Sequence, residues 1–328
     1  MLFELFAMIK EKIMFQDFKM RILCLGVFML CQDQIFAQES HLPTSSSDSI
    51  QKPIYYTSWC PIEVDFTLAF DDFRSLPEGS FEGNWGGLTA LNLKAPLPAS
   101  FSVQLGGSYG FYNWYGKSSI LANNPDSLQQ QGFITLAASR QTEKPSGINA
   151  GVAYDCMLND NFGLFGVNPF FYQIRGQIGY LIKGGNEIGA WASYGINIAN
   201  ENVQEIPLRF RAVSQANLFW CHYYKNNGYT MVWAGTPYRR GLMYTSGRPG
   251  TFTLGAQFSV PMTKYFNLQG TAAYMGPRTI SEISPSSNYA VDISIGITYA
   301  LGKRRVVQTP YMTPANNSNF ITDTNHNF

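Results

Sequence analysis

Charge is scarce in this chain. Asp, Glu, Lys and Arg make up 14% of its 328 residues, against about 25% in soluble globular domains. Lys+Arg number 23 and Asp+Glu 22, a net charge of +1. No global field draws nucleic acid to it, and none is expected as a partner. Long apolar runs are missing too. The apolar stretch Ile22 to Leu30 (ILCLGVFML) is too short to span a bilayer as a helix. A mean hydropathy of −0.11 does not fit a helical membrane protein. Histidine is confined to His41, His222 and His326. There is no CxxC, HExxH or GxxxxGK[ST], so no metal or cofactor is expected. Of five cysteines, Cys24 and Cys31 fall in the N-terminal apolar region. Cys60, Cys156 and Cys221 are odd in number and widely spaced, which is no disulfide framework. Cys156 and Cys221, in strand-like segments, read as small apolar residues.

Aromatics, by contrast, reach 15%, and there are 30 glycines. Their arrangement is clearest in Asn288 to Leu301, NYAVDISIGITYAL. Tyr289, Val291, Ile293, Ile295, Ile297, Tyr299 and Leu301 share one face; Ala290, Asp292, Ser294, Gly296, Thr298 and Ala300 share the other. A transmembrane strand needs about 9–11 residues, apolar outside and polar inside, with aromatics at both interfaces. An ordinary strand averages about 5–6.

The same alternation recurs from Ile62 onward. Phe101, Val103, Leu105, Tyr109 and Phe111 oppose Ser102, Gln104, Gly106, Ser108 and Gly110. Ile188, Ala190, Ala192, Tyr194 and Ile196 oppose Trp191 and Ser193. Asp71 to Gly83 reads as a loop, and Ile206 to Trp220 as one strand with Arg209 and Arg211 on its polar face. Pro96-Leu97-Pro98 and Lys183-Gly184-Gly185-Asn186 read as tight turns, the glycines supplying positive φ. Long and short connections alternate along the chain. The expected fold is therefore all-β: a transmembrane antiparallel up-and-down β-barrel of about 12 strands, closed because hydrocarbon leaves no backbone group unpaired.

Lys19 and Arg21, the apolar core and Ile35-Phe36-Ala37 form an export signal with an N-terminal extension over 1–37. Residues 38–61 read as a periplasmic lead-in and 62–301 as the barrel. Residues 302–328, opening on Lys303-Arg304-Arg305 and then rich in Pro, Asn and Thr, read as a flexible periplasmic tail.

The span Ile62 to Leu301 resembles the bacterial outer-membrane β-barrel proteins, porin-like in the broad sense. Phe81 to Tyr115 (FEGNWGGLTALNLKAPLPASFSVQLGGSYGFYNWY) is similar to strands of uncharacterised barrel families. The resemblance implies an outer-membrane location in the lipid bilayer, insertion by the barrel-assembly machinery, and passive transport of small polar solutes.

Glu63, Asp65, Asp155, Arg175, Arg209, Arg211 and Asp292 are the expected pore-lining residues. They form either a constriction with a basic side or pairs that neutralise one another and hold the barrel's shape. Small inward residues favour a narrow water-filled pore. The alternatives are a non-conducting barrel, closed by Trp191, Phe219 and the paired charges, that acts through its loops, and a soluble secreted β-protein. Arg239, Arg240 and Arg248 form a basic loop open to an anionic lipid or ligand, or simply solvated. No Ser–His–Asp order or paired-acid spacing is present, so no enzyme is expected.

Overall fold

The structure, a computed structural model, describes residues 62–78, 83–112, 128–225, 227–242, 247–277, 289–301 and 311–325. The expected signal, the lead-in, Cys60, His41 and His326 lie outside the described residues. Twelve antiparallel strands close into one barrel. In chain order these are β1 (Glu63–Arg74), β2 (Asn84–Pro96), β3 (Phe101–Tyr112), β4 (Gln129–Arg140), β5 (Gly147–Asp160), β6 (Phe170–Ile182) and β7 (Asn186–Gly195). After a short hairpin, β8 (Ala199–Val203) and β9 (Ile206–Ala212), the barrel resumes. Its remaining strands are β10 (Gln215–Tyr223), β11 (Tyr229–Pro237), β12 (Thr253–Pro261), β13 (Phe266–Met275) and β14 (Ala290–Leu301).

Closure is made by β1 on β14, in register from Val64↔Leu301 to Arg74↔Val291. The period-two pattern orients every strand. Leu68, Phe70, Ile293, Ile295 and Ile297 are exposed outside, while Thr67, Asp71, Asp292 and Thr298 are buried inside. Exposed apolar side chains over a whole outer face are unfavourable in water and favourable in lipid. The connections at 97–100, 141–146, 183–185, 224–228 and 262–265 all fall at one end, hereafter the short-turn end. The long connections fall at the other. In the turn at 183–185, Gly184 and Gly185 adopt φ of 94° and 79°, where a Cβ would be strained.

Two expectations need correction. Residues 206–220 are not one strand. Val213 is buried and its N–H donates to Ile321 O at 2.7 Å; the Gly195 N–H donates to Ser214 Oγ at 3.1 Å. These bonds break the chain into β9, outside the barrel, and β10, within it. The alternation reads straight through the break, because Leu208 and Phe210 are buried in a loop core whereas Leu218 faces lipid.

The second concerns the expected flexible tail, of which residues 311–325 are described. Residues 311–325 are packed against other parts of the chain, and β15 (Thr322–Thr324) pairs with β9 in a three-stranded sheet ordered β15-β9-β8. Ile295→Arg, on the lipid face opposite Phe70 and Gly270, is expected to cost about 2–4 kcal/mol. Met262→Arg in an exposed turn should cost about 1 kcal/mol or less. Denaturant unfolding in phospholipid vesicles measures both.

Candidate functional site

The inner wall is lined with amides, hydroxyls and carboxyls, and the C-terminal segment threads between them. Near the short-turn end, Tyr311 Oη donates to Glu187 Oε1 at 2.9 Å. Glu187 is fully buried and also accepts from Asn149 Nδ2 at 2.8 Å and Tyr223 Oη at 2.9 Å. Three donors offset the cost of burying that carboxylate. Midway, the Ala315 N–H donates to Thr135 Oγ1 at 2.8 Å and Ser108 Oγ donates to Ala315 O at 3.1 Å. Further along, Asn317 Nδ2 donates to Asp71 Oδ2 at 3.1 Å, which also accepts from Tyr112 Oη at 2.7 Å. Ser318 Oγ donates to Asp292 Oδ2. At the long-loop end Phe320 is buried among Phe133, Phe162, Phe171 and Phe210.

The segment therefore crosses the lumen from the short-turn end to the long-loop end. Glycines make room for it: a Cβ on Gly151 would lie 2.7 Å from Met312 Cγ, and one on Gly106 would lie 3.0 Å from Pro314 Cγ. Across the lumen, Trp191, Phe219, Tyr229 and Trp233 form an aromatic cluster from β7, β10 and β11. Trp191 and Phe219, expected to close a non-conducting lumen, lie inside it, and residues 311–325 occupy part of the space.

Asp155 and Arg175 come together fully. Arg175 Nε donates to Asp155 Oδ2 at 2.5 Å and Nη2 to Oδ1 at 3.0 Å. Thr135 Oγ1 and Gln173 Nε2 complete the carboxylate's shell at 2.8 and 3.0 Å. Arg175 Nη2 also reaches Thr313 O at 2.7 Å, so the ion pair ties the wall to the threaded segment. Asp292 faces the lumen beside Ser318. Glu63 stands at the short-turn end 3.6 Å from Lys94, with Asp65 on the same strand face.

Arg209 and Arg211 are not on the wall, a second consequence of the break at Val213. They sit on β9, Arg209 exposed and Arg211 buried, so no basic constriction with Arg175 forms. Arg211 Nη2 lies 3.7 Å from Asp323 Oδ2, which also accepts from the Leu242 N–H at 2.7 Å. Burial, and then the neighbouring Arg239 charge, hold the Arg211 guanidinium below the ordinary arginine range.

Asp71, Tyr112, Glu187 and residues 311–325 are not among the expected pore-lining residues. The expected loop from Asp71 starts too early: the alternation Phe66, Leu68, Phe70 places Asp71 inward one step later. Cys156 and Cys221 are free and buried, as small apolar residues would be. His222 faces outward at the short-turn end, 3.0 Å from Asn186 Oδ1 through Nδ1 and stacked against Trp220.

The family model for a family of unknown function, DUF6666, matches residues 66–322. The chain belongs to that family. The match runs past β14 and takes in the threaded segment, so both belong to one DUF6666 unit. No curated protein matches. Among solved structures the chain is similar to outer membrane phospholipase A from Escherichia coli. Identity is 9% and the TM-score 0.41, with 72% of this chain and 92% of that one covered. It is also similar to the Pseudomonas putida toluene transporter TodX, at 9% identity and a TM-score of 0.40, covering 74% and 89%. These are outer-membrane barrels, the fold expected here. They include an enzyme, so the expectation that this DUF6666 chain is not one is corrected: the architecture is common to enzymes and channels and excludes neither.

Asp155→Ala would leave Arg175 charged and unpaired in the lumen. A loss of about 3–5 kcal/mol is expected, read as a lowered temperature for the heat-dependent shift in gel mobility. The double variant Asp155→Ala/Arg175→Met should recover most of it.

Proposed function

We propose that the chain is an outer-membrane channel for small polar solutes that its own C-terminal segment holds shut at rest. The observation that carries this reading is the path of residues 311–325 through a polar-walled lumen. A barrel interior meant only as a solid core would be filled by wall side chains, as in small barrels. Here the wall is cut back to glycine at 106 and 151, and the filling comes from a separate stretch of chain. Side-chain amide atoms of Gln104, Gln131, Gln173 and Gln215 are buried without a protein partner among the described residues. Buried amides of that kind take up water, which suits a hydrated interior.

In this reading residues 1–37 direct export, the barrel-assembly machinery inserts the barrel, and the short-turn end faces the periplasm. The segment then runs from the periplasmic end toward the outside. Asp155, Arg175 and Asp292 line the path that opens when it leaves. The second reading is a barrel that never conducts and acts through its long-loop end. It draws on the buried cluster of Phe162, Phe165, Val203, Leu208, Phe210 and Phe320, which caps that end.

Single-channel conductance in planar bilayers separates the two. The full chain should be closed for most of the time, and a chain ending at Leu301 should conduct steadily. Because that truncation removes many wall contacts, a second variant keeps them. Gly151→Cys/Met312→Cys places two sulfurs within bridging reach, given the 2.7 Å approach of these positions. Oxidised, it should be silent; reduced, it should open as the full chain does. Equal conductance in both states would overturn the gate. Silence in the truncated chain, with normal heat-modifiable mobility, would favour the barrel that acts through its loops.

A further inference from the structure

The basic residues at the long-loop end do not all serve the same side of the wall. Arg211 turns inward to Asp323. Arg239 and Arg248 turn outward. Arg239 Nη1 donates to Gly195 O at 2.7 Å, and its guanidinium carbon lies 4.9 Å from the ring centroid of Tyr194, an exposed residue on the lipid face of β7. Arg248 is exposed, and its Nη1 donates to Thr236 Oγ1 at 3.2 Å, on the outer face of β11. Only β10 separates those two strands. Thr236 is level with Ala192, three residues short of Gly195, so at about 4.8 Å between strands and about 3.3 Å per residue the two anchor points stand roughly 14 Å apart, a gap the two long arginine side chains can narrow around one phosphate. Among the described residues neither arginine has an ion-pair partner, and each guanidinium has donors left over.

Beneath Arg239, in the row that starts at the Arg248 anchor Thr236, the outer wall is recessed. Gly176, Ala192, Ala216 and Thr236 stand side by side across β6, β7, β10 and β11, all facing out. A Cβ on Gly176 would meet nothing within 4 Å. Above the recess Tyr194 and Tyr238 are exposed at 44% each; below it Ile178 and Leu218 are exposed at 56% and 71%. Tyrosine at such a height marks the boundary between hydrocarbon and headgroups.

We infer that this face seats one phosphorylated lipid, with its phosphate between Arg239 and Arg248 and an acyl chain along the recess at Gly176, Ala192 and Ala216. Charge complementarity selects the occupant. Two guanidiniums at headgroup depth match phosphate oxygens with charge-assisted hydrogen bonds, and a zwitterionic headgroup offsets that charge with its own. A free anion has no use for the apolar recess below. The inference needs only that the barrel spans a membrane, and it is indifferent to whether the lumen conducts.

The test is native mass spectrometry of the refolded full chain in mild detergent. It is titrated with phosphatidic acid, with phosphatidylcholine of the same acyl chains, and with inorganic phosphate. One phosphatidic acid should bind, in clear preference to phosphatidylcholine. Arg239→Gln/Arg248→Gln should weaken it roughly thirtyfold, given about 1 kcal/mol per interfacial arginine. Ala216→Trp should weaken it by filling the recess with both charges intact. Lys183→Gln, at the other end of the barrel, should change nothing, and unaltered heat-modifiable mobility would show that each variant folds. Equal binding of the two lipids, or no response to the double arginine variant, would overturn the site. So would displacement of the lipid by inorganic phosphate at matched concentration, which would mark an anion site without a lipid.

Discussion

In hydrocarbon an unpaired peptide group costs several kcal/mol, and that constraint governs everything else in this molecule. A row of strands survives there only when its two edges meet. β1 and β14 meet over most of their lengths, from Val64↔Leu301 to Arg74↔Val291. Closure with twelve strands then creates a second problem, because the cylinder is wider than its own wall side chains can fill. The chain solves it with material from two places. Trp191, Phe219, Tyr229 and Trp233 pack into the lumen from the wall. Residues 311–325, which follow the last barrel strand in sequence, pack into it elsewhere.

The wall is polar where the segment passes, and this fits how such a segment has to be held. Its backbone is not in a sheet until β15, so its N–H and C=O groups need side-chain partners. Thr135 and Ser108 serve Ala315, Arg175 serves Thr313, and Gln173 donates to Asn319 O at 3.1 Å. The Arg175–Asp155 pair is therefore not an isolated ion pair buried for its own sake. Burying a charge pair is seldom favourable by itself. Here Asp155 has four polar contacts from three wall residues, and Arg175 gives a further donor to the threaded chain.

The barrel was legible in the sequence because membrane strands write their orientation into every second residue. Ile293 and Asp292 cannot exchange faces without placing a carboxylate in lipid. Turn length added an independent reading, since up-and-down topology forces like connections to one end. The same signal misled at Ile206 to Trp220. Alternation reports that one face is apolar, not what the face touches, so a loop strand packed on Phe162 and Phe171 reads like a lipid-facing one. The fate of the tail was illegible for a related reason. A segment that fills a polar lumen is rich in Asn, Ser, Thr and Pro, the composition of a chain that packs against nothing. Phe320-Ile321 was the one local hint, and its partners lie on β4, β6 and the 196–214 connection, far away in sequence.

The long-loop end of the threaded segment is held by larger apolar clusters than the rest, and in the proposed gate that asymmetry governs how it would leave. Toward the long-loop end, Phe320 and Ile321 are buried in apolar clusters and Thr322–Thr324 pair with β9. Apolar contacts of this kind cannot be handed over to water at no cost. Toward the short-turn end Tyr311 bonds Glu187 and Asn149 and Met312 packs in a small cluster with Ala137 and Ala153; further along Asn317 bonds Asp71. The hydrogen-bonded groups are ones that water can satisfy in the segment's place. In the proposed gate, hydration of the lumen would replace the hydrogen bonds of Tyr311, Ala315 and Asn317 before the apolar contacts of Phe320 and Ile321. The segment would then peel from the wall while anchored at the long-loop end, and its complete expulsion would require the loop core around Phe162 and Phe210 to come apart as well.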